Sequence, residues 1–162
     1  MPIYAQYKYL KDDDYMTPKT ALADIAELMP REGVVWEPFY GDGKSGEHMR
    51  ELGFEVHHEP EDFFAVEPRG DWVWSNPPFS CKREVLTRLK ELQLPFCLLL
   101  PTNVINKQYF RQLFVNDKEL QFIIPRKRIS FVINGQDTSG CWFDTMFVCW
   151  RMGLQHQINW LV

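Results

Sequence analysis

Apolar and polar positions along the chain alternate between two periods, and the alternation predicts strands and helices in turn. Thr17-Pro18 reads as N-cap and first helical position. They open a helix whose Leu22, Ile25, Ala26 and Met29 share one face before Pro30 and Gly33 end it. Val34 to Trp36 is a short apolar strand stopping at Glu37-Pro38. A glycine turn follows, then a helix from about Lys44 to Leu52 with Gly53 beyond its end, and a strand from Phe54 to His58. Trp72 to Ser75 predicts another strand, and Cys81 to Leu92 a helix with Val85, Leu86, Leu89 and Leu92 at helical spacing. Phe96 to Leu100 is an unbroken apolar run, the mark of a strand covered on both faces of a parallel sheet. A helix near Asn106 to Phe114, strands at Leu120 to Ile124 and Ile129 to Val132, a polar loop from Asn134 to Gly140 and a last strand from Thr145 to Trp150 complete the pattern. Strands alternating with helices imply an α/β sandwich with helices on both faces of the sheet.

Length and composition narrow the class. The 162 residues suit one domain, 1–162, with 1–16 as a lead-in that carries the acidic run Asp12-Asp13-Asp14. At 45% hydrophobic and 25% charged residues, the balance is globular and supports one core. With no run of about 18 apolar residues and no signal-peptide h-region, a soluble, intracellular protein is expected, without membrane association. Cys81, Cys97, Cys141 and Cys149 are widely spaced and contain no CxxC pair, so we read them as reduced, buried and not metal-binding. Trp36, Trp72, Trp74, Trp142 and Trp150 fall in or beside strands and are expected in the core. A net charge of −4 argues against a protein that coats nucleic acid, so any such contact is confined to a local patch. Arg126-Lys127-Arg128 is the candidate patch for phosphate.

Two predicted strand ends carry unusual residues, and in open α/β sheets ligands bind outside the carboxyl ends of the strands. The first is Glu37-Pro38-Phe39-Tyr40-Gly41-Asp42-Gly43. Glycines there let a ligand approach the backbone, and the helix that follows offers free N–H groups. Gly41 to Gly46 spells GxGxxG, and Glu59 lies 22 residues past Glu37, in the place of a ribose-binding acid. Gly43-Lys44-Ser45 also matches the end of a P-loop, but that motif needs glycine where Pro38 stands. The second is Asn76-Pro77-Pro78-Phe79. Two prolines after an asparagine make a stiff turn with few backbone donors, which leaves the Asn76 amide oxygen and the Pro77 carbonyl as acceptors. Phe79 adds a flat apolar ring. A planar amine could stack on that ring and give its N–H bonds to the two oxygens, which together offset the few kcal/mol of flipping a base out. His57-His58, His48 and His156 read as packing or surface residues, and Lys19 and Lys107 merely flank helix starts.

With these residues the chain resembles the amino-group methyltransferases that modify adenine N6 in DNA or RNA, whose catalytic motif is (D/N/S)PP(Y/F/W). The resemblance covers most of the chain. It implies a Rossmann-like sandwich, mostly parallel with an antiparallel closing strand, and S-adenosylmethionine as cofactor. Asn76, Pro77, Pro78 and Phe79 match the catalytic motif. Asp14-Tyr15-Met16-Thr17-Pro18 looks like the family's entry motif beside the cofactor, with Tyr15, Thr17 and Pro18 as contacts. Glu37, Pro38, Phe39, Gly41 and Gly43 look like its glycine loop, Glu59 its ribose-binding acid, and Asp62 and Phe63 part of the element that touches the cofactor's adenine. Phe131 to Trp150 resembles the closing strand pair. Implied with them are direct in-line methyl transfer and a nucleic-acid substrate, single-stranded or locally unpaired, with specificity supplied by short loops or a partner protein. Phe79 in place of tyrosine is common among RNA-modifying members. The competing readings are methylation of a glutamine side chain in a protein, and a cofactor-binding but inactive subunit that scaffolds a partner. The intact Asn76 and prolines oppose the second. A dehydrogenase would leave the Asn-Pro-Pro-Phe turn unexplained.

Overall fold

The computed structural model describes residues 15–133, 136–137 and 143–162. The acidic run at 12–14, Cys141, Trp142 and most of the 134–140 loop lie outside the described residues. In chain order the strands are β1 (Val34–Trp36), β2 (Glu55–His57), β3 (Trp72–Ser75), β4 (Phe96–Pro101), β5 (Leu120–Ile124), β6 (Val132–Ile133), β7 (Gln136–Asp137), β8 (Thr145–Trp150) and β9 (Ile158–Trp160). The helices are α1 (Lys19–Ile25), α2 (Lys44–Glu51), α3 (Lys82–Glu91) and α4 (Gln108–Phe114), with 3-10 turns at Ala26–Leu28, Phe79–Cys81 and Thr102–Asn106.

Seven strands form one sheet in the order β2-β1-β3-β4-β8-β5-β9, and β6 and β7 form a separate hairpin. β1, β2, β3 and β4 run parallel, β5 and β9 run with them, and β8 runs against both of its neighbours. The expected mostly parallel sheet with an antiparallel strand is thus present.

All residues of β4 and β8 are buried, because their side chains alternate between two apolar layers. On one face Cys97, Leu99, Phe147 and Cys149 pack with Leu22 and Ile25 of α1 and Met49 of α2. On the other, Phe96, Leu98, Leu100, Val148 and Trp150 pack with Val85, Leu86 and Leu89 of α3 and Phe110 and Phe114 of α4. Cys81, Cys97 and Cys149 are buried, and burial beside Cys149 pushes the Cys97 thiol well above its usual range. Trp36, Trp72, Trp74 and Trp150 are core residues as expected.

Four local expectations are corrected. Pro18, not Thr17, is the N-cap of α1. Its extended ψ of 150° places it outside the helix, and no side chain caps the end. The strand expected at Ile129–Val132 is only Val132–Ile133, since Ile129 and Phe131 turn into the core. The helix expected from Cys81 begins as a 3-10 turn at Phe79. β9 was not foreseen at all. It is a partly exposed edge strand laddered parallel to β5, with the Phe122 N–H donating to the Gln157 carbonyl at 2.7 Å and the Leu161 N–H to the Ile124 carbonyl at 3.0 Å. Side chains reinforce it: Gln121 Nε2 donates to the Leu154 and His156 carbonyls at 2.7 Å and Asn159 Nδ2 to the Phe122 carbonyl at 3.1 Å.

Candidate active site

After β1 the chain moves outward to β2, then returns to place β3 on the other side of β1. Such a reversal opens a crevice at the carboxyl ends of β1 and β3. The two singled-out segments, Glu37 to Gly43 after β1 and Asn76 to Phe79 after β3, both begin there. A cleft of about 330 Å3 lies between them, walled by Tyr15, Met16, Thr17, Pro18, Lys19, Glu37, Phe39, Tyr40, Gly41, Asp42, Lys44, Ser45, His48, Asn76, Pro78 and Val132. Met16 and Val132 exchange two backbone hydrogen bonds of 2.9 and 2.8 Å, which pin the 15–18 segment beside the cleft.

Asn76 Nδ2 donates to the Tyr15 carbonyl at 2.8 Å. A carbonyl can only accept, so this contact settles which end of the amide is which. Asn76 Oδ1 is left buried with no partner among the described residues. The Pro78 carbonyl accepts the Cys81 N–H at 3.2 Å and so closes the 3-10 turn. Phe79 is 8% exposed: Tyr15 stacks on it at 6.3 Å and 19°, and Phe143 and Phe131 meet it edge-on at 5.5 and 6.4 Å. A flat ligand can stack on the Phe79 face that Tyr15 covers only if Tyr15 shifts.

Glu37 is 2% exposed. Its Oε1 accepts from Ser75 Oγ at 2.5 Å and from the Phe39 N–H at 3.0 Å. Burial pushes its carboxyl up to about 8, against the lowering effect of these bonds and one from Ser45. Gly43, at φ +83°, is the N-cap of α2, and Asp42 Oδ1 accepts the Lys44 N–H at 3.0 Å, which sets a carboxylate at the helix start. His58 is buried behind the loop. Its Nδ1 accepts the Gly46 N–H at 3.1 Å and its Nε2 faces the Phe39 carbonyl at 3.4 Å, so Nε2 carries the proton. Burial lowers its pKa, in keeping with a neutral ring. The expected packing role of His58 is what the structure has, and the packing is close. A Cβ on Gly46 would lie 2.2 Å from His58 Nδ1.

The cleft thus brings Tyr15, Thr17, Pro18, Glu37, Phe39 and Gly41 together with Asn76 and Pro78. Pro38, Gly43 and Pro77 adjoin it along the chain without walling it. Glu59 is exposed and outside the wall. Asp62 Oδ1 accepts the Phe64 N–H at 2.9 Å, while its Oδ2 is buried without a partner among the described residues. Phe63 is fully buried against Trp36 and Phe39. Burial raises the Glu61 pKa, but hydrogen bonds from His57 and Arg69 outweigh it and hold the carboxyl below its usual range. Sequence reasoning gave no role to Ser75 and Val132, named Met16 and Ser45 only as members of their motifs, and passed over Lys19 and His48. Helical spacing was a usable signal for His48, which follows Ser45 by three positions on α2.

Arg126, Lys127 and Arg128 are exposed at the carboxyl end of β5 and line a second groove of about 510 Å3 with Thr20, Asp24, Phe147 and Leu161. Pro18 lines both cavities. Arg126 pairs with Asp24 at 3.4 Å and Arg128 with Asp144 at 2.8 Å, while Lys127 has no ion-pair partner among the described residues. Among the described residues no group of three His, Cys, Asp or Glu side chains could hold a metal ion, and no helix is long and apolar enough to cross a membrane.

No protein-family model matches the sequence, and a search of curated proteins finds no significant match. Solved structures do resemble it. A dimethyladenosine transferase from Plasmodium falciparum superposes with a TM-score of 0.51 at 14% identity over 84% of this chain and 62% of that one. A protein from Pyrococcus horikoshii, provisionally described as an RNA methyltransferase, gives 0.50 at 15% identity over 91% and 94%. The chain therefore spans somewhat under two thirds of the Plasmodium protein and nearly all of the Pyrococcus one. The fold is that of the α/β methyltransferases.

Proposed function

We propose that the chain transfers a methyl group from S-adenosylmethionine to the exocyclic N6 amine of adenine in a single-stranded or locally unpaired nucleic acid. The observation that carries the proposal is the buried Asn76 Oδ1, without a partner among the described residues, on the wall of a cleft it shares with the glycine loop. A shielded polar atom without a partner costs about 1–3 kcal/mol. Thr17 Oγ1, His48 Nδ1 and Asn76 Oδ1 are three such atoms on this one cleft, which marks it as a place where a polar ligand completes the bonding.

The charges select the ligand. The Asp42 carboxylate stands at the α2 terminus, where a dinucleotide would put its pyrophosphate, and already takes the Lys44 N–H there. A cationic sulfonium and ammonium suit this neighbour and a phosphate does not. The residues present therefore fit S-adenosylmethionine. When bound it supplies an electrophilic methyl: an N–C bond forms as the C–S bond breaks, the electron pair stays on sulfur, and one amine proton leaves to water. Asn76 Oδ1 and the Pro77 carbonyl accept the amine's N–H bonds, favouring the pyramidal nitrogen on which positive charge builds. Thr17, Pro18 and the glycine loop would hold the donor in the cleft, and Glu59 and Asp62, which stand beyond its wall, would meet its ribose hydroxyls and adenine amine only where the donor extends past that wall. Tyr15 yields the Phe79 face to the target base, and Lys127 with its arginine neighbours holds the strand's phosphates. The named activity of the Plasmodium protein and the description of the Pyrococcus one favour an adenine in RNA.

Labelled S-adenosylmethionine offered to RNA, DNA and protein pools, with identification of the modified atom, tests the reading. The expected product is N6-methyladenine in the RNA pool. Label on glutamine, or on a ring nitrogen, contradicts it.

A further inference from the structure

Ser75 closes β3 one residue before Asn76 and is 3% exposed. It does not wall the cleft, so it touches neither donor nor acceptor there. Its hydroxyl nevertheless donates to Glu37 Oε1 at 2.5 Å, and that same oxygen accepts the Phe39 N–H of the glycine loop at 3.0 Å. One carboxyl oxygen therefore ties the β1 loop to the β3 loop across the switch point, inside the protein.

We propose that Ser75 is a positioning residue for methyl transfer: through Glu37 it holds the Asn76 turn in register with the glycine loop and couples donor binding to acceptor binding. The inference rests on the methyltransferase reading above. Two physical arguments carry it. Among the described residues Asn76 has one side-chain bond of its own, to the Tyr15 carbonyl, so the placing of Oδ1 depends on how the end of β3 is held. Transfer is sensitive to such placing, since a misplacement of about 1 Å can cost about 100-fold in rate. Secondly, Glu37 is buried and its neutral form is favoured, and a cationic ligand in the cleft favours the ionised form. A hydrogen bond to an ionised acceptor is roughly twice as strong as a neutral one. Filling the donor site thus tightens the Ser75 bond, and by linkage a bound acceptor tightens donor binding by the same factor.

The test uses the full chain and an adenine-containing RNA oligonucleotide. Donor Kd comes from calorimetry, kcat and KM from labelled transfer, and acceptor Kd is taken with and without S-adenosylhomocysteine or a cationic amine analogue of the donor. Ser75→Ala is expected to keep donor Kd within about threefold while kcat falls by about 10- to 100-fold. The tightening of acceptor by the cationic analogue disappears. Ser75→Cys is nearly isosteric with a weak donor and gives the same split should the alanine variant fold poorly. A wild-type protein that transfers methyl groups, with both variants unchanged in kcat or altered only in melting temperature, overturns the inference alone. A wild type that binds no donor overturns the reading beneath it and this inference with it.

Discussion

Asn76 Nδ2 and the Tyr15 carbonyl oxygen stand 2.8 Å apart across 61 residues of chain, and that bond consumes the donor end of the amide. The acceptor end is what remains. The 15–18 segment, itself pinned to Val132, thereby orients the Asn76 side chain.

Replacing Asn76 with alanine removes the acceptor while Glu37, Asp42 and the glycine loop stay intact. Transfer falls by about 100- to 1,000-fold, the usual cost of one preorganised polar group at a developing charge. Donor Kd, measured by calorimetry, changes little. Undiminished turnover in this variant removes Asn76 from the chemistry.

Glu37 makes stability depend on pH. Its folded pKa is about 8 against an ordinary 4.5, so between these values the folded state holds a proton the unfolded state has released. Its contribution is full below about pH 4.5 and is lost as pH rises through 8, a decline on the order of 4 kcal/mol. His58 opposes it: its lowered pKa costs stability as pH falls below about 6.5. Denaturant melts from pH 6.5 to 8 isolate Glu37. Wild-type stability falls across that window, and Glu37→Gln flattens the slope. Equal slopes place the ionisation elsewhere.

How much of this was readable from residues alone varies with the physics. Trp72–Ser75, Leu120–Ile124 and Thr145–Trp150 were read to the residue, because apolar runs ending at Gly, Asp or Pro carry their own boundaries. β9 escaped because Ile158–Trp160 is a short, partly exposed edge strand with no apolar period of its own, and the β5 residues it pairs with are remote in sequence. Thr17 was misread as a cap because a Thr-Pro pair looks the same whether the hydroxyl bonds a helix end or is buried in a cleft. The glycine loop and Asn-Pro-Pro-Phe turn were visible as motifs. The stacking of Tyr15 on Phe79 and the Glu37–Ser75 bond join residues far apart in sequence, and only folding displays them.

Gly46→Ala drives a methyl group into His58, which holds the back of the glycine loop. Overpacking and the lost hydrogen bond together cost about 2–4 kcal/mol. Thermal melting falls by roughly 4–16 °C, and donor affinity falls with it. An unchanged melting temperature contradicts the close fit.

Lys127→Glu leaves the donor cleft alone. Donor Kd stays constant, while RNA affinity drops and the slope of log affinity against log salt shrinks by about one. Binding titrations at several salt concentrations read it, and unaltered slopes remove the basic groove from the substrate path.

The most direct test is a crystal structure with a donor analogue and a short adenine-containing RNA. The account predicts the target N6 within hydrogen-bond reach of Asn76 Oδ1, about 2.7–3.2 Å, with the donor's sulfur or its replacement in line behind the reacting carbon. A base seated elsewhere, or a donor whose reactive carbon points away from Asn76, contradicts it.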